Sequence, residues 1–299
     1  PGSSVENVVH IGELALDGRL RPTPGVLPAV AAAARAGVST VMVPEANLAE
    51  AKLVSDITAV GVASLRQAAI WHGASLEGHD VVPLYPEPLG RVRAENATAG
   101  DLADVIGHAE AREALIAAAA GGHHMFMLGP PGSGKTMLAS RLAGLLPDLT
   151  PEQALEVACV RSLGDAGSGQ SLPIRPPMES PHHTATTTAL VGGGSGLIRP
   201  GSVARAHHGV LFLDEAPEFS RTTLDALRQP LESGEISIHR AMLSASFPAR
   251  FLLVMAANPC PCGKFGVRGE ECMCPPSART RYLARLSGPL RDRIDINLN

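Results

Sequence analysis

Residues 129–136 read Gly129-Pro130-Pro131-Gly132-Ser133-Gly134-Lys135-Thr136, between the apolar run Met125-Phe126-Met127-Leu128 and a helix-like stretch from Met137 to Leu146. A glycine-rich turn joining a strand to a helix lets backbone N–H groups close around an anion, and the helix points its positive end at the same place. Lys135 stands where an ammonium reaches outer phosphates, and Thr136 where a hydroxyl reaches Mg²⁺. The chain contains three lysines, Lys52, Lys135 and Lys264, so a lysine at the demanded position is not a by-product of composition. This phosphate loop decides the fold, because strand–loop–helix units assemble into a parallel sheet covered by helices.

Working outward, two more apolar runs end in polar residues. Val210–Leu213 is followed by Asp214-Glu215, and Phe251–Ala257 by Asn258. Open α/β sheets place ligand groups just beyond the carboxyl ends of their strands, so the three runs deliver their polar residues to one edge. Asp214 is placed to hold Mg²⁺ with Thr136, and Glu215 to orient and polarise an attacking water. Asn258, donor and acceptor at once, suits sensing of a terminal phosphate or of that water. The plain alternatives are an acidic pair favoured by a helix N-terminus for Asp214-Glu215 and an Asn-Pro turn start for Asn258.

The whole chain sets the bounds. Its 299 residues suffice for about two domains. With 45% apolar and 18% charged residues but 3% aromatics, the core is built mainly from Ala, Val, Leu and Ile. The chain shows no initiating Met, no signal-peptide pattern and no apolar run long enough to cross a bilayer, so the expectation is a cytoplasmic fragment with no membrane partner. A net charge of −4 argues against general nucleic-acid affinity, yet residues 240–299 carry nine Lys or Arg against four Asp or Glu. That local excess fits a nucleic-acid face or arginine-rich subunit contacts.

Residues 1–76 read as a small α+β domain: a hairpin of Val8–Leu16 and Arg19–Arg21 about Asp17-Gly18, a helix Val26–Ala36 with Pro24 in its first turn, strands Thr40–Val43 and Ile57–Val62, and helices Leu48–Val54 and Leu65–Trp71. The proline-bearing stretch 77–100 reads as a linker. From residue 101 to 299, helices and strands alternate, beginning with the Ala-rich helix His108–Ala120. Cys260, Cys262, Cys272 and Cys274 form two C-x-C pairs that suit a structural Zn²⁺, or remain reduced and unliganded; Cys159 stands alone. His182 and His183, neighbours on an extended segment, would face opposite ways and serve hydrogen bonding or subunit contacts rather than shared metal ligation.

The phosphate loop, Val210–Glu215 and Ala256–Gly263 resemble the magnesium-chelatase-like AAA+ ATPases of the YifB/ComM type. So do Ser180–His183, Leu190–Gly194, Arg199–Gly201, Leu227–Glu232 and Ser287–Asp295. The resemblance implies an α/β AAA+ P-loop NTPase core that binds ATP and Mg²⁺, here without the C-terminal helical lid. It also implies a homo-oligomeric, usually hexameric ring. Arg293 matches the position expected to act on the neighbouring subunit's γ-phosphate, while Arg291 stands where the family more often has an apolar residue. In related ATPases a hairpin before the third such strand enters the ring channel, which implies substrate contact by His239 and Arg240 of the Glu235–Arg240 arm; a plain solvated hairpin is the alternative. A ComM-like motor implies DNA as the partner and branch migration as the work; a metal-chelatase motor subunit or a protein remodeller is the alternative. His10–Leu20, Ala34–Val38 and Val43–Asn47 resemble the proteolytic domain of Lon-type proteases, an S5-like α+β fold. The position of the Lon-type catalytic lysine holds Pro28, which cannot carry a proton, so the domain is expected to be non-proteolytic.

Overall fold

A computed structural model describes residues 5–79, 81–85, 100–164, 171–194, 198–239, 244–267 and 269–299. Packing divides the chain into two units, Pro1–Glu95 with Thr150–Pro173, and Asn96–Leu149 with Ile174–Asn299.

The larger unit carries a five-stranded sheet of Met125–Leu128, Met178–Glu179, Val210–Leu213, Leu252–Ala257 and Ile296–Leu298. Numbered along the chain, they lie side by side in the order fifth, first, fourth, third, second, and every neighbouring pair is parallel. All residues of Val210–Leu213 and Leu252–Ala257 are buried, which is why these inner strands read as unbroken apolar runs rather than alternating ones. The helix Ala109–Gly121 buries Ala111, Leu115 and Ala118, one stripe at helical spacing, and ends at Gly122 in the left-handed conformation. Lys135–Leu145 buries Leu138, Ala139, Leu142 and Ala143. Both helices join Met125, Met127, Val210, Phe212 and Val254 in one core, where each fully buried large side chain contributes about 1.5–3 kcal/mol. This is the expected α/β architecture, and the order of strands sets the ends of Met125–Leu128, Leu252–Ala257 and Val210–Leu213 next to one another.

The smaller unit has a parallel three-stranded sheet of Val8–His10, Thr40–Pro44 and Thr58–Val62, with Thr40–Pro44 in the middle. The helix Val26–Arg35 covers it through Val26, Leu27, Val30 and Ala33. A second helix, Pro151–Ser162, adds Ala158 to the same core and starts with a reciprocal capping box between Thr150 and Gln153. The sequence reading ran 101–299 as one contiguous domain; the packing instead groups Thr150–Pro173 with the N-terminal residues. The chain leaves and re-enters the larger unit where the Leu149 N–H donates to the Ile174 carbonyl at 2.8 Å. The expected linker 77–100 has no helix or strand at 77–79 or 81–85, and residues 86–99 lie outside the described residues.

Two N-terminal expectations change. Val8–Leu16 is not one hairpin arm: Val8–His10 enters the parallel sheet, and only Glu13–Leu14 pairs with Leu20–Arg21 around Gly18. Val9 and Ile11 pack on the core, so burial rather than the turn sets the first strand's partner. Pro24 also lies outside the helix, whose cap is Gly25 at φ 79°; the first turn holds Pro28, where an absent N–H leaves no intrahelical bond unmade.

A buried carboxyl lies inside this unit. Glu50 is 1% exposed and accepts hydrogen bonds from Asn47 Nδ2 and Ser162 Oγ. Burial raises its pKa above 4.5, although both hydrogen bonds act against the shift. The folded chain thus holds this proton more tightly than the unfolded chain. The stability Glu50 lends is complete below pH 4.5 and is lost as pH rises through the folded value. Glu50→Gln is expected to flatten that loss, read as the urea midpoint against pH by fluorescence of Trp71, the sole tryptophan. An unchanged pH profile in the variant contradicts the assignment.

Candidate functional site

The phosphate loop is built where Met125–Leu128 turns into Lys135–Leu145. Gly132 and Gly134 take φ of 75° and 81°, a region that side chains with a Cβ rarely adopt, and Gly134 caps the helix. The Gly129 N–H donates to the Ala257 carbonyl at 3.1 Å, tying the loop to the neighbouring strand. Lys135 Nζ donates to the carbonyls of Gly129 and Pro130 at 2.7 and 2.8 Å, and lies 3.4 Å from Ser133 Oγ and 3.3 Å from Asn258 Oδ1. Burial draws Lys135 below the usual lysine range, while the Asp214 and Glu215 carboxylates oppose the shift.

Thr136 Oγ1 donates to Asp214 Oδ2 at 2.7 Å, and the Glu215 backbone N–H donates to Asp214 Oδ1 at 2.9 Å. Glu215 has φ 50°, a left-handed conformation uncommon outside glycine and concentrated at functional sites. Its carboxylate lies 3.1 Å from His183 Nδ1. Buried Tyr282 packs nearby: burial, then Glu218 and Glu215, push its phenol up to about 12, with a hydrogen bond to the Asn258 backbone pulling the other way. The structure thus sets two hydrogen-bonded pairs side by side, Lys135 with Asn258 and the next residue, Thr136, with Asp214, and Glu215 is joined to the second pair through its backbone. Beside the loop lies a cavity of about 330 Å³ lined by His108, Met127, Leu128, Pro130, Lys135, Leu138 and Leu298 among others.

Other expected residues lie outside these pairs. Arg293 pairs with Glu232, not with the phosphate loop of its own chain, and Arg291 is exposed at the end of the short helix Gly288–Arg291. The hairpin exists as Glu235–His239 paired antiparallel with Ser244–Pro248; His239 is exposed, and Arg240 lies outside the described residues. His182 and His183 do not face opposite ways: their rings lie 4.1 Å apart, because the chain turns at 183–184 instead of staying extended. They nonetheless take separate partners, Thr184 and Glu215. Sequence reasoning missed His108, at φ 49° before the Ala-rich helix and lining the cavity, and Tyr282. Both residues were visible in the sequence; their meeting with the site depends on tertiary packing.

The four cysteines converge immediately after Asn258. Cys260 Sγ lies 3.4 Å from Cys262 Sγ and 3.7 Å from Cys272 Sγ, Cys262 and Cys272 are 3.7 Å apart, and all four sulfurs lie within 4.8 Å of one another. A hydrogen bond from the Lys264 backbone, then one from Cys260, hold the Cys262 thiol down at about 6. Cys159, elsewhere, is pushed up to about 11 by burial.

With this geometry the comparisons with known proteins agree. Residues 101–299 match the family described as magnesium chelatase, subunit ChlI, and residues 2–47, which include much of the Lon-resembling stretch, match one described as subunit ChlI of Mg-chelatase. An uncharacterised protein of Mycobacterium tuberculosis is 50% identical over 100% of this chain and 58% of its own length. YifB of Escherichia coli is 46% identical over 96% of this chain and 55% of its own. Competence protein ComM of Haemophilus influenzae is 44% identical over 99% and 57%. The chain thus spans under three fifths of the length of these relatives. The match over its C-terminal two thirds, on the residues that build the phosphate loop and the strand ends beside it, means that the chain belongs to the magnesium chelatase subunit ChlI family, with YifB and ComM among its relatives.

Proposed function

We propose that this chain binds and hydrolyses ATP with Mg²⁺ in a homo-oligomeric, hexameric ring, and that the ring remodels or translocates DNA in the manner of a ComM-like branch-migration motor. One observation carries the ATPase reading: beyond three adjacent strand ends, Lys135 bonds Asn258 while the next residue, Thr136, bonds Asp214, with Glu215 at the rim. A hydroxyl and a carboxylate 2.7 Å apart are a hard oxygen pair of the kind Mg²⁺ takes alongside phosphate oxygens and water, so Thr136 and Asp214 fit it. Bound there, Mg²⁺ would neutralise charge on the β- and γ-phosphates.

The residues divide the remaining work. Backbone N–H groups of the loop and the Lys135 ammonium bind and orient the phosphates. Glu215 accepts a proton from the attacking water and aims it, with His183 fixing the carboxylate's direction. Asn258, already bonded to Lys135, reports whether the terminal phosphate is present. Arg293 serves a neighbouring subunit's site, where a planar guanidinium offsets charge on the transferring phosphoryl group. Release of its Glu232 partner accompanies that role. The N-terminal unit is a non-proteolytic Lon-like element for assembly or substrate contact, with Pro28 where a catalytic lysine would stand.

The DNA reading draws on the basic excess in residues 240–299 and on the hairpin whose first arm ends at His239. It is tested by the ATPase rate with single-stranded, duplex and forked DNA. Stimulation by DNA that falls in a His239→Ala, Arg240→Ala double variant is the expected result. Unchanged stimulation in the double variant removes the hairpin from the proposal. Turnover indifferent to every DNA moves the assignment to a metal-chelatase motor subunit or a protein remodeller. No helix among the described residues is long and apolar enough to cross a membrane, and we place the protein in the cytoplasm.

A further inference from the structure

We infer that Cys260, Cys262, Cys272 and Cys274 bind one Zn²⁺ as a tetrathiolate, and that this ion clamps the loop following Asn258 against the phosphate loop. A tetrahedral zinc with bonds of about 2.3 Å sets its four sulfurs about 3.8 Å apart. The sulfurs of Cys260, Cys262 and Cys272 lie 3.4, 3.7 and 3.7 Å from one another. These are far longer than the ~2.05 Å of a disulfide bond. They are also too close for thiolates spread around a cluster of several iron and sulfide atoms. Nitrogen and oxygen ligands are absent from the described group, so its donors are soft throughout, which selects zinc over magnesium or calcium.

The backbone is shaped to bring the sulfurs together. Cys260, buried, starts a turn closed by the Gly263 N–H donating to the Cys260 carbonyl at 2.9 Å. The Phe265 N–H donates to Cys260 Sγ at 3.4 Å, the kind of bond that eases negative charge on a ligating sulfur. Gly263 has φ 78°, and a Cβ there would lie 2.6 Å from Pro131 Cγ. Only a glycine lets the turn close and rest on the phosphate loop at once.

Little else holds this segment. From Asn258 to Pro275 the described residues form no helix or strand. The pairing of Lys264 with Glu270 is half exposed, and Arg279 stacks over Phe265 at 3.9 Å. Exposed pairs of this kind contribute little. A tetrathiolate zinc supplies the missing folding energy, as it does in small loop-rich metal sites. Because Asn258 and Pro131 flank the cluster, the ion sets the position of the residue that bonds Lys135.

Elemental analysis of the purified full chain is expected to give one zinc per chain, lost in Cys272→Ser, Cys274→Ser with the circular dichroism of the helices retained. Should that variant not fold, the wild type still reports: Co²⁺ exchanged into it is expected to show the intense visible bands of a tetrahedral tetrathiolate. Stripping the ion by chelation is expected to speed tryptic cleavage at Lys264 at least about ten-fold, with protection restored by Zn²⁺. Four freely titrating thiols in a folded, metal-free protein, or a disulfide among them, overturns the site. Cleavage at Lys264 unaffected by chelation overturns the clamp. None of these readouts uses turnover, so they fail or succeed separately from the ATPase proposal.

Discussion

Lys135→Ala is expected to weaken Mg–ATP binding by roughly 30- to 700-fold, about 2–4 kcal/mol, the range for truncating one partner of a desolvated charged hydrogen bond. The ammonium's neighbours explain the size. Nζ is held between the Gly129 and Pro130 carbonyls within reach of Asn258, inside a loop whose other donors are backbone N–H groups. Alanine removes the loop's side-chain cation and leaves those carbonyls facing an anion. Calorimetric titration reads the loss. Affinity within a factor of about three of the wild type would separate the loop from phosphate binding, since 0.6 kcal/mol is the scale of an ordinary surface change.

Glu215→Gln is expected to leave that affinity intact and lower turnover about 10²- to 10⁴-fold, the contribution of a positioned general base. Glutamine keeps the shape of the side chain, can still hydrogen-bond His183, and leaves the Asp214 to backbone bond untouched. It removes only the charge and the proton acceptor. Loss of binding as well as turnover would mean that Glu215 shapes the site rather than acting on water.

The site was legible because inner strands of a parallel sheet announce themselves. Val210–Leu213 and Leu252–Ala257 are buried on both faces, so each reads as an apolar run, and the next residue is the one presented at the edge. The outer strands Met178–Glu179 and Ile296–Leu298, of two and three residues, are too short to show any period, and neither was read. The helix Pro151–Ser162 was beyond reach for another reason. Its amphipathic pattern says that one face is buried, but not that Ala158 joins the core of Val30 and Val41. Likewise His183 beside Glu215 follows from a tertiary contact that local spacing does not encode. The cysteine spacing suggested a metal; only the sulfur separations and the fit of Gly263 on Pro131 connect it to the phosphate loop.

Phosphate release from ATP by the purified protein, with Mg²⁺ and with a chelator in its place, beside Glu215→Gln, tests the central claim most directly. The expected result is Mg²⁺-dependent turnover that disappears in the variant while nucleotide binding persists. Turnover that survives both the chelator and Glu215→Gln, or a wild-type protein with no affinity for Mg–ATP, would contradict the assignment of this sheet edge as an ATPase site.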